Sequence, residues 1–452
     1  MPVVNRPERA RVCVVVLGDI GRSPRMEYHS LSLADKGVNV ELVGYPGSDP
    51  ISRLARHELV TFHYLPDPPL LKAPVVHLPT KLIWQLFSLL FCLIWRVPYS
   101  DVILLQNPPA LPALLVCACV AALKGSRLII DWHNYTYSML AQKWGTRNPL
   151  NRLTQLYEFG IGRCADANFC VTDAMRSDLT FRGISKVTTF HDRPFGTFSP
   201  LPIVDQHDFL MRMAERYVEF RSEQPDESGE TKEACLFTVK RRDGLCEKRS
   251  DRPCILLTST SWTPDENFAL LIDALTIYSQ LPVHDGELSL PPLCVVITGK
   301  GPLREAFLRH VQEVDFGLRV TVVTMWLQSE DYPRLLACAD VGLSLHFSTS
   351  GLDLPMKVVD MFGCGLPVLA LSFKALPELV HDSVDGMVFE NAEQLAAHLR
   401  NILRGFPKRH SVLDEMRARL RDHPLETWNK AWEETAWPIL AATLNDESFA
   451  KA

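Results

Sequence analysis

The sequence predicts an α/β protein built from two Rossmann-like, open parallel-sheet domains facing a central cleft. Three observations carry that prediction. Short, continuous apolar runs recur along the chain, the pattern of strands buried on both faces of a parallel sheet. Helical segments lie between most of them, the alternation that covers such a sheet. The series also occurs twice, on either side of a charged segment, in a chain of 452 residues that is long enough for two ordinary domains.

The first domain spans 11–200. Its strand at 12–17 leads into a loop from Gly18 to Arg25, a helix ending near Gly37, and a second strand at 38–43. The G-x-x-G in that loop is not the G-x-G-x-x-G dinucleotide fingerprint, which argues against a nicotinamide or flavin enzyme. Further strands are expected at 59–64, 102–105, 128–130, 167–171 and 187–190. Helices are expected at 82–95, 110–123, 150–163 and 172–182, the last with Thr172 as N-cap. From 219 to 252 the chain is dense in charged residues and Ser, which predicts a flexible insertion or linker. A second β-α series follows over 253–405, with strands at 254–258, 293–298, 320–324, 341–345, 368–371 and 386–389. The helices at 411–421 and 426–444 are expected to pack across the two domains, with Trp428, Trp432 and Trp437 on or near one packing face.

Apolar content of 47% and charged content of 22% belong to a folded globular chain, and a net charge of −6 argues against a nucleic-acid binder. Twelve cysteines without C-x-x-C pairs read as reduced core thiols of a protein facing the cytosol. The N-terminus carries no signal-peptide apolar region, because 12–17 is a short run flanked by arginines and Gly18. The apolar stretches at 82–95 and 110–123 have 14 residues each, short of the about 20 that a spanning helix needs. Both read as buried core helices. For 82–95, its aromatics and the flanking Lys81 and Arg96 leave a helix lying in a membrane interface equally open.

In open α/β sheets, ligands bind beyond the carboxyl ends of the strands. Four polar or glycine-rich loops hold that position in the second domain: 259–265, 299–301, 348–353 and 373–378. Gly299 and Gly301 would let backbone amides approach a phosphate, with Lys300 or Arg304 adding positive charge. The stretch from Ser348 to Val368 punctuates a short helix with Pro355 early and Gly363 and Gly365 late. Asp353, Lys357 and Asp360 fall at i, i+4 and i+7, so one face would carry three charges; spacing alone favours a solvated face over a site.

The order ITGKGPL, a strand, ACADVGLSLHFSTSG, DMFGCGLPVLA and ALPELVHDSVDGMVFE resembles the C-terminal half of a GT-B glycosyltransferase that uses a nucleotide-sugar donor. With VVVLGDIGRSPRMEYHSLSLA, DWHNYTYSML, STSWTPDENF and SGLDLPMKVVDMFGCGLP, the resemblance narrows to the chitobiosyldiphosphodolichol β-mannosyltransferase family, over about 11–200 and 252–405. The resemblance implies Asp360 as the ribose ligand and Asp353 as the nearest candidate for the sugar. The donor site then takes in Gly299, Lys300, Gly301, Arg304 and Lys357, with Ser350, Gly351 and Glu378 from the neighbouring loops. The sequence departs from the superfamily at two points. The acidic pair is seven rather than eight residues apart, and Ser261 or Trp262 and Glu266 stand where the diphosphate-clamping Arg and Lys are expected.

The resemblance further implies an inverting transfer of mannose from GDP-mannose, the donor substrate, to a dolichol-linked chitobiose acceptor. The setting it implies is the cytosolic face of the endoplasmic reticulum, with the membrane surface and other glycosyltransferases of the same pathway as partners. Such a displacement needs a base for the acceptor hydroxyl and donors for the departing diphosphate. No D-x-D metal motif stands in the inter-domain loops and no cofactor is required, although a divalent cation stays possible. Asp19 in the first βα loop and His133 in D-W-H-N are the candidate bases, each with a structural alternative as a helix cap or a hydrogen-bonding histidine. Arg22, Arg25 and Asn134 are candidate acceptor ligands, the arginines with solvated loop positions as the alternative. A GT-B transferase using a UDP-sugar, and an inactive scaffold subunit, are the competing readings.

Overall fold

The fold is that of a computed structural model, described over residues 9–69, 74–222, 231–263, 266–282, 284–285, 288–408 and 411–444. Contacts divide the chain into two compact units. The first takes residues 1–192, Thr349–Asp353 and 428–452; the second takes 193–348 and 354–427.

The first unit is a seven-stranded parallel sheet. Its elements are β1 (Arg11–Asp19), α1 (Pro24–Asp35), β2 (Asn39–Tyr45), β3 (Val60–Tyr64), α2 (Pro74–Phe91), β4 (Val102–Asn107), α3 (Ala113–Lys124), β5 (Arg127–Trp132), α4 (Thr136–Trp144), α5 (Pro149–Gly162), β6 (Ala167–Cys170), α6 (Asp173–Phe181) and β7 (Val187–Thr189). The order β3-β2-β1-β4-β5-β6-β7 reverses at β1, which puts the switch point between β1 and β4. Each expected strand of this domain is present. Gly37 ends α1 with a positive φ of 81°, and Thr172 caps α6 by accepting from the Met175 amide at 3.0 Å. Residues 428–444 return to this unit. Trp428 and Trp432 are buried there, donating to Ser32 Oγ at 3.0 Å and His29 Nδ1 at 3.1 Å, and Trp437 stacks on Trp432. The tryptophans are packing residues.

The second unit holds α7 (Ile203–Arg216), β8 (Thr231–Ala234), β9 (Thr238–Arg241), β10 (Cys246–Lys248), β11 (Cys254–Ser259), α8 (Phe268–Gln280), β12 (Leu293–Thr298), α9 (Arg304–Glu313), β13 (Val320–Met325), α10 (Asp331–Cys338), β14 (Val341–Ser344), α11 (Met356–Gly363), β15 (Val368–Leu371), β16 (Gly386–Phe389), α12 (Ala392–Leu403) and α13 (Ser411–Asp422). Six parallel strands run β13-β12-β11-β14-β15-β16, with the switch point between β11 and β14.

Two expectations change. The segment 219–252, read as a flexible linker, contains the antiparallel sheet β8-β9-β10, with 223–230 outside the described residues. Its few apolar side chains are enough: Phe237 and Cys235 are buried, and the His207 ring of α7 meets Thr238 Oγ1 at 2.9 Å. An ion cluster closes it. Asp340, fully buried, takes both Arg252 nitrogens at 2.5 and 2.8 Å and Arg417 of α13 at 2.9 Å. Burial opposes its ionisation, but Arg252 and Lys248 hold its carboxyl far below the usual range. The second change concerns the helix read from Asp353 onward. It begins at Met356 after the cap residue Pro355, so Asp353 lies outside it and only Lys357 and Asp360 share its surface.

Among the described residues, no helix is long and apolar enough to cross a membrane. The stretch 82–95 is helical, with Leu89, Cys92 and Leu93 in the first unit's core and Phe87, Phe91 and Trp95 exposed. All twelve cysteines are free thiols, and ten of them are buried.

Candidate active site

Strand β5 carries a carboxylate, Asp131, as its penultimate residue after three buried apolar residues, and a charge set there needs partners. Arg25 of α1 supplies a two-point contact, Nε at 2.8 Å and Nη2 at 3.0 Å. Its third nitrogen, Nη1, donates to Asp192 at 2.9 Å. His133 Nε2 meets the same Asp131 at 3.0 Å, and His29 Nε2 lies 3.3 Å away. Burial would keep Asp131 protonated; the Arg25 charge and the His133 and His29 contacts outweigh it and hold the carboxyl well below its usual range. Burial likewise pushes His29 down, which keeps that ring neutral and leaves Asp131 facing one fixed cation.

This geometry sorts the candidates in the first unit. His133 is anchored through Nε2 by an ionised carboxylate and is 23% exposed at its side chain, so Nδ1 is the ring's remaining basic position. Asp19 is a loop clasp. Its carboxylate accepts from the Gly21 amide at 3.1 Å and from Ser48 N and Oγ at 2.9 Å each, which joins the β1 loop to the β2 loop. A Cβ at Gly47 would stand 2.5 Å from Asp19 Oδ2, so that glycine is set by the clasp. Arg25, expected at the acceptor, is buried and committed to two carboxylates, so it is not available to a substrate. Arg22 keeps an exposed side chain, 3.6 Å from Asp19. Asn134 is a local organiser. Its Oδ1 accepts from the Tyr135 amide at 2.7 Å, and its Nδ2 donates to Thr349 Oγ1 at 3.3 Å. Ser350, Gly351 and Asp353, expected among the donor ligands, fall in this same unit, where Leu352 is buried and its carbonyl accepts from Thr172 Oγ1 at 2.5 Å. Gly351 has a φ of 73°, the left-handed turn that presents that carbonyl.

The second unit gathers the other expected donor ligands at the carboxyl edge of its sheet. Gly299 and Gly301 serve first as contact points between loops. A Cβ at Gly299 would lie 1.7 Å from the Thr260 carbonyl oxygen, and one at Gly301 would lie 1.8 Å from that of Ser261. Trp262 sits between them, buried at a positive φ of 52°, stacked on Phe268 and donating to the Gly299 carbonyl at 3.1 Å. Lys300 stands 4.2 Å above the Trp326 ring, and Arg304 Nη2 donates to Thr324 at 2.8 Å. Lys357 donates to the Ser259 carbonyl at 2.8 Å and to the buried Glu266 carboxylate, which also accepts from Thr260. The cation beside residue 266 is Lys357 of α11, and the Glu266 carboxylate neutralises it. Asp360, half-buried, lies near enough to Tyr332 to add its charge to the burial that raises that phenol, whose hydroxyl donates to Ser259 Oγ at 2.9 Å. Glu378 closes a short turn at the end of β15, and Pro264 and Asp265 of the first loop lie outside the described residues.

Sequence reasoning singled out neither Asp131 nor Trp326. Each carried a signal: an acid near the end of an apolar strand, and a Trp directly after one.

Two family models match the chain, a glycosyl transferase 4-like domain over residues 21–191 and the glycosyl transferases group 1 over 252–405. The human chitobiosyldiphosphodolichol beta-mannosyltransferase is 43% identical over 96% of this chain and 93% of its own length. The chain belongs to the chitobiosyldiphosphodolichol beta-mannosyltransferase family of glycosyltransferases. An Arabidopsis thaliana relative named UDP-glycosyltransferase TURAN is 35% identical over 97% of this chain and 98% of its own. Among solved structures, a sucrose-phosphate synthase from Thermosynechococcus elongatus superposes with a TM-score of 0.64 at 15% identity, over 96% of this chain and all of that one. That likeness concerns the fold alone, and it assigns this glycosyltransferase the GT-B architecture that its sequence resembles.

Proposed function

We propose that the chain moves mannose from GDP-mannose to di-N-acetylchitobiosyl-diphosphodolichol in a β-1,4 linkage, with inversion, at the cytosolic face of the endoplasmic reticulum membrane. The Asp131–His133 pair is the observation that carries the mechanism. A buried, ionised Asp131 holds the Nε2–H of His133, which leaves Nδ1 to take the proton of the acceptor hydroxyl. The resulting oxygen attacks the anomeric carbon, the bond from that carbon to the diphosphate oxygen breaks, and GDP departs with the electron pair. Lys300 and Arg304 supply positive charge at the strand ends for that leaving group, and Asp360 accepts from the ribose hydroxyls. The 43% identity to a named mannosyltransferase supports mannose as the transferred sugar and chitobiosyl-diphosphodolichol as the acceptor, and the assay below decides the nucleotide.

The test incubates purified protein with radiolabelled GDP-mannose and a short-chain chitobiosyl-diphosphate lipid in detergent, with UDP-glucose in a parallel arm. Labelled lipid from GDP-mannose alone is the expected result. Transfer only from UDP-glucose, or none from either donor, would sink the proposal.

A further inference from the structure

Helix α3 is apolar on every side. Leu114, Cys117 and Val120 face the core, while Leu115, Cys119 and Leu123 face outward and are exposed. A helix that is hydrophobic all round is normally buried on all sides. Here the described residues of the first unit leave the outer side exposed.

Its neighbours repeat the pattern. α3 packs between α2 and α5. The hydroxyl of Tyr157 on α5 accepts from the Leu115 amide at 3.1 Å, and Lys124 Nζ at the end of α3 donates to the Leu93 and Val97 carbonyls at 2.6 and 3.0 Å. These bonds tie the three helices side by side. On α2 and the turn after it, Ile83, Phe87, Phe91 and Trp95 recur at four-residue intervals and are all more than half exposed. On α5, Leu150, Leu153 and Leu156 are 51–66% exposed. Eleven of the twenty exposed large apolar side chains among the described residues fall between 83 and 156. Isolated exposed leucines need no explanation, but a three-helix layer of them marks an interaction surface.

The charge around the layer identifies the occupant. Residues 74–163 carry eight Lys or Arg against three Asp or Glu, in a chain whose net charge is −6. Of those three acids, Asp131 and Glu158 are buried. Lys143, Arg147 and Arg152 are exposed near α5, and Arg96 is exposed beside Trp95. An apolar aromatic face rimmed by cations is the chemistry of a lipid surface with anionic headgroups, where the rings sit at the headgroup level and the cations meet phosphates.

We infer that the outer face of α2, α3 and α5 is one continuous docking surface for an anionic membrane, with α5 and its flanking arginines as much a part of it as α2. The inference rests on the lipid-linked acceptor proposed above, for which it supplies the membrane contact. It differs from a single interfacial helix in requiring α5.

The full chain is tested by flotation with vesicles of phosphatidylcholine alone and of phosphatidylcholine mixed with phosphatidylserine. Wild type should float with the anionic vesicles and less with the neutral ones, and high salt should weaken it. Leu153→Glu/Leu156→Glu on α5 and Phe91→Glu on α2 should each lower partition onto anionic vesicles at least about tenfold. Both variants should keep the wild-type thermal transition and wild-type transfer to the short-chain acceptor in detergent. Flotation of the α5 double variant at the wild-type level overturns the inference. So does a wild type that fails to float, or one that sediments as a dimer which the α5 variant dissociates. Loss of transfer in detergent by the wild type would instead count against the acceptor reading, and the two failures are thereby told apart.

Discussion

Asp131→Asn removes one charge from the centre of the first unit and changes no volume. The wild-type carboxylate receives two Arg25 nitrogens at 2.8 and 3.0 Å and His133 at 3.0 Å, all as acceptor. An asparagine presents an NH2 group to one of these donors, so at least one contact becomes donor against donor. Breaking a buried pair on one side costs ~3–5 kcal/mol. Arg25 keeps Asp192 at 2.9 Å, which places the loss at the lower end, about 3 kcal/mol. For a unit of this size that is a fall in Tm of about 6–12 °C. Below the transition the unit stays folded, but His133 loses the carboxylate that fixes its tautomer, and turnover should drop ~10²–10⁴-fold. Differential scanning calorimetry reads the first effect and steady-state mannosyl transfer at 25 °C the second. A folded Asp131→Asn protein within twofold of wild-type turnover would refute the dyad, and an unchanged Tm would refute the buried-charge argument.

Three further outcomes are expected. Burial pushes Glu27 up to about 7 despite its bond from the Ile51 amide at 3.0 Å. The folded chain therefore binds that proton more tightly than the unfolded chain, and stability is lost as pH rises from about 4.5 through about 7. Glu27→Gln should raise stability at pH 8 by up to about 3 kcal/mol and leave it unchanged at pH 4, as urea melts at the two pH values would show. Lys357→Met should cost about 3 kcal/mol by leaving the Glu266 carboxylate buried without its cation, and adding Glu266→Gln should recover most of it in a double-mutant cycle. Gly301→Ala should destabilise the second unit by ~1–3 kcal/mol and weaken GDP binding in calorimetry, because the new methyl meets the Ser261 carbonyl.

The sheets were legible because a strand buried on both faces leaves no alternative to a run such as Val12 to Leu17 or Cys254 to Thr258. The sheet at 231–248 was not, since its strands are short and mostly polar and its stability comes from Phe237, Cys235 and the Asp340 cluster, partners distant in sequence. The same distance hid much of the candidate site. Arg25 read as a loop cation because Asp131, 106 residues away, and Asp192, 167 residues away, cannot be seen from its neighbours. Asp353 read as a helix residue because charge spacing tolerates an extra turn, whereas Pro355 sets the start of α11. Glu266 stood in sequence where a clamping cation was expected, and Lys357 read as a donor ligand; in space the two form a closed ion pair.

Which group of the first unit takes the acceptor proton is decided by one side-by-side measurement. His133→Gln and Asp19→Asn are compared with wild type for transfer from GDP-mannose to the short-chain acceptor, with GDP binding followed in the same preparations. His133→Gln should bind GDP as wild type does and lose ~10²–10⁴-fold in turnover, while Asp19→Asn should retain turnover once folded and show its loss in Tm. Wild-type turnover from His133→Gln, with the loss falling on Asp19→Asn instead, would contradict the account.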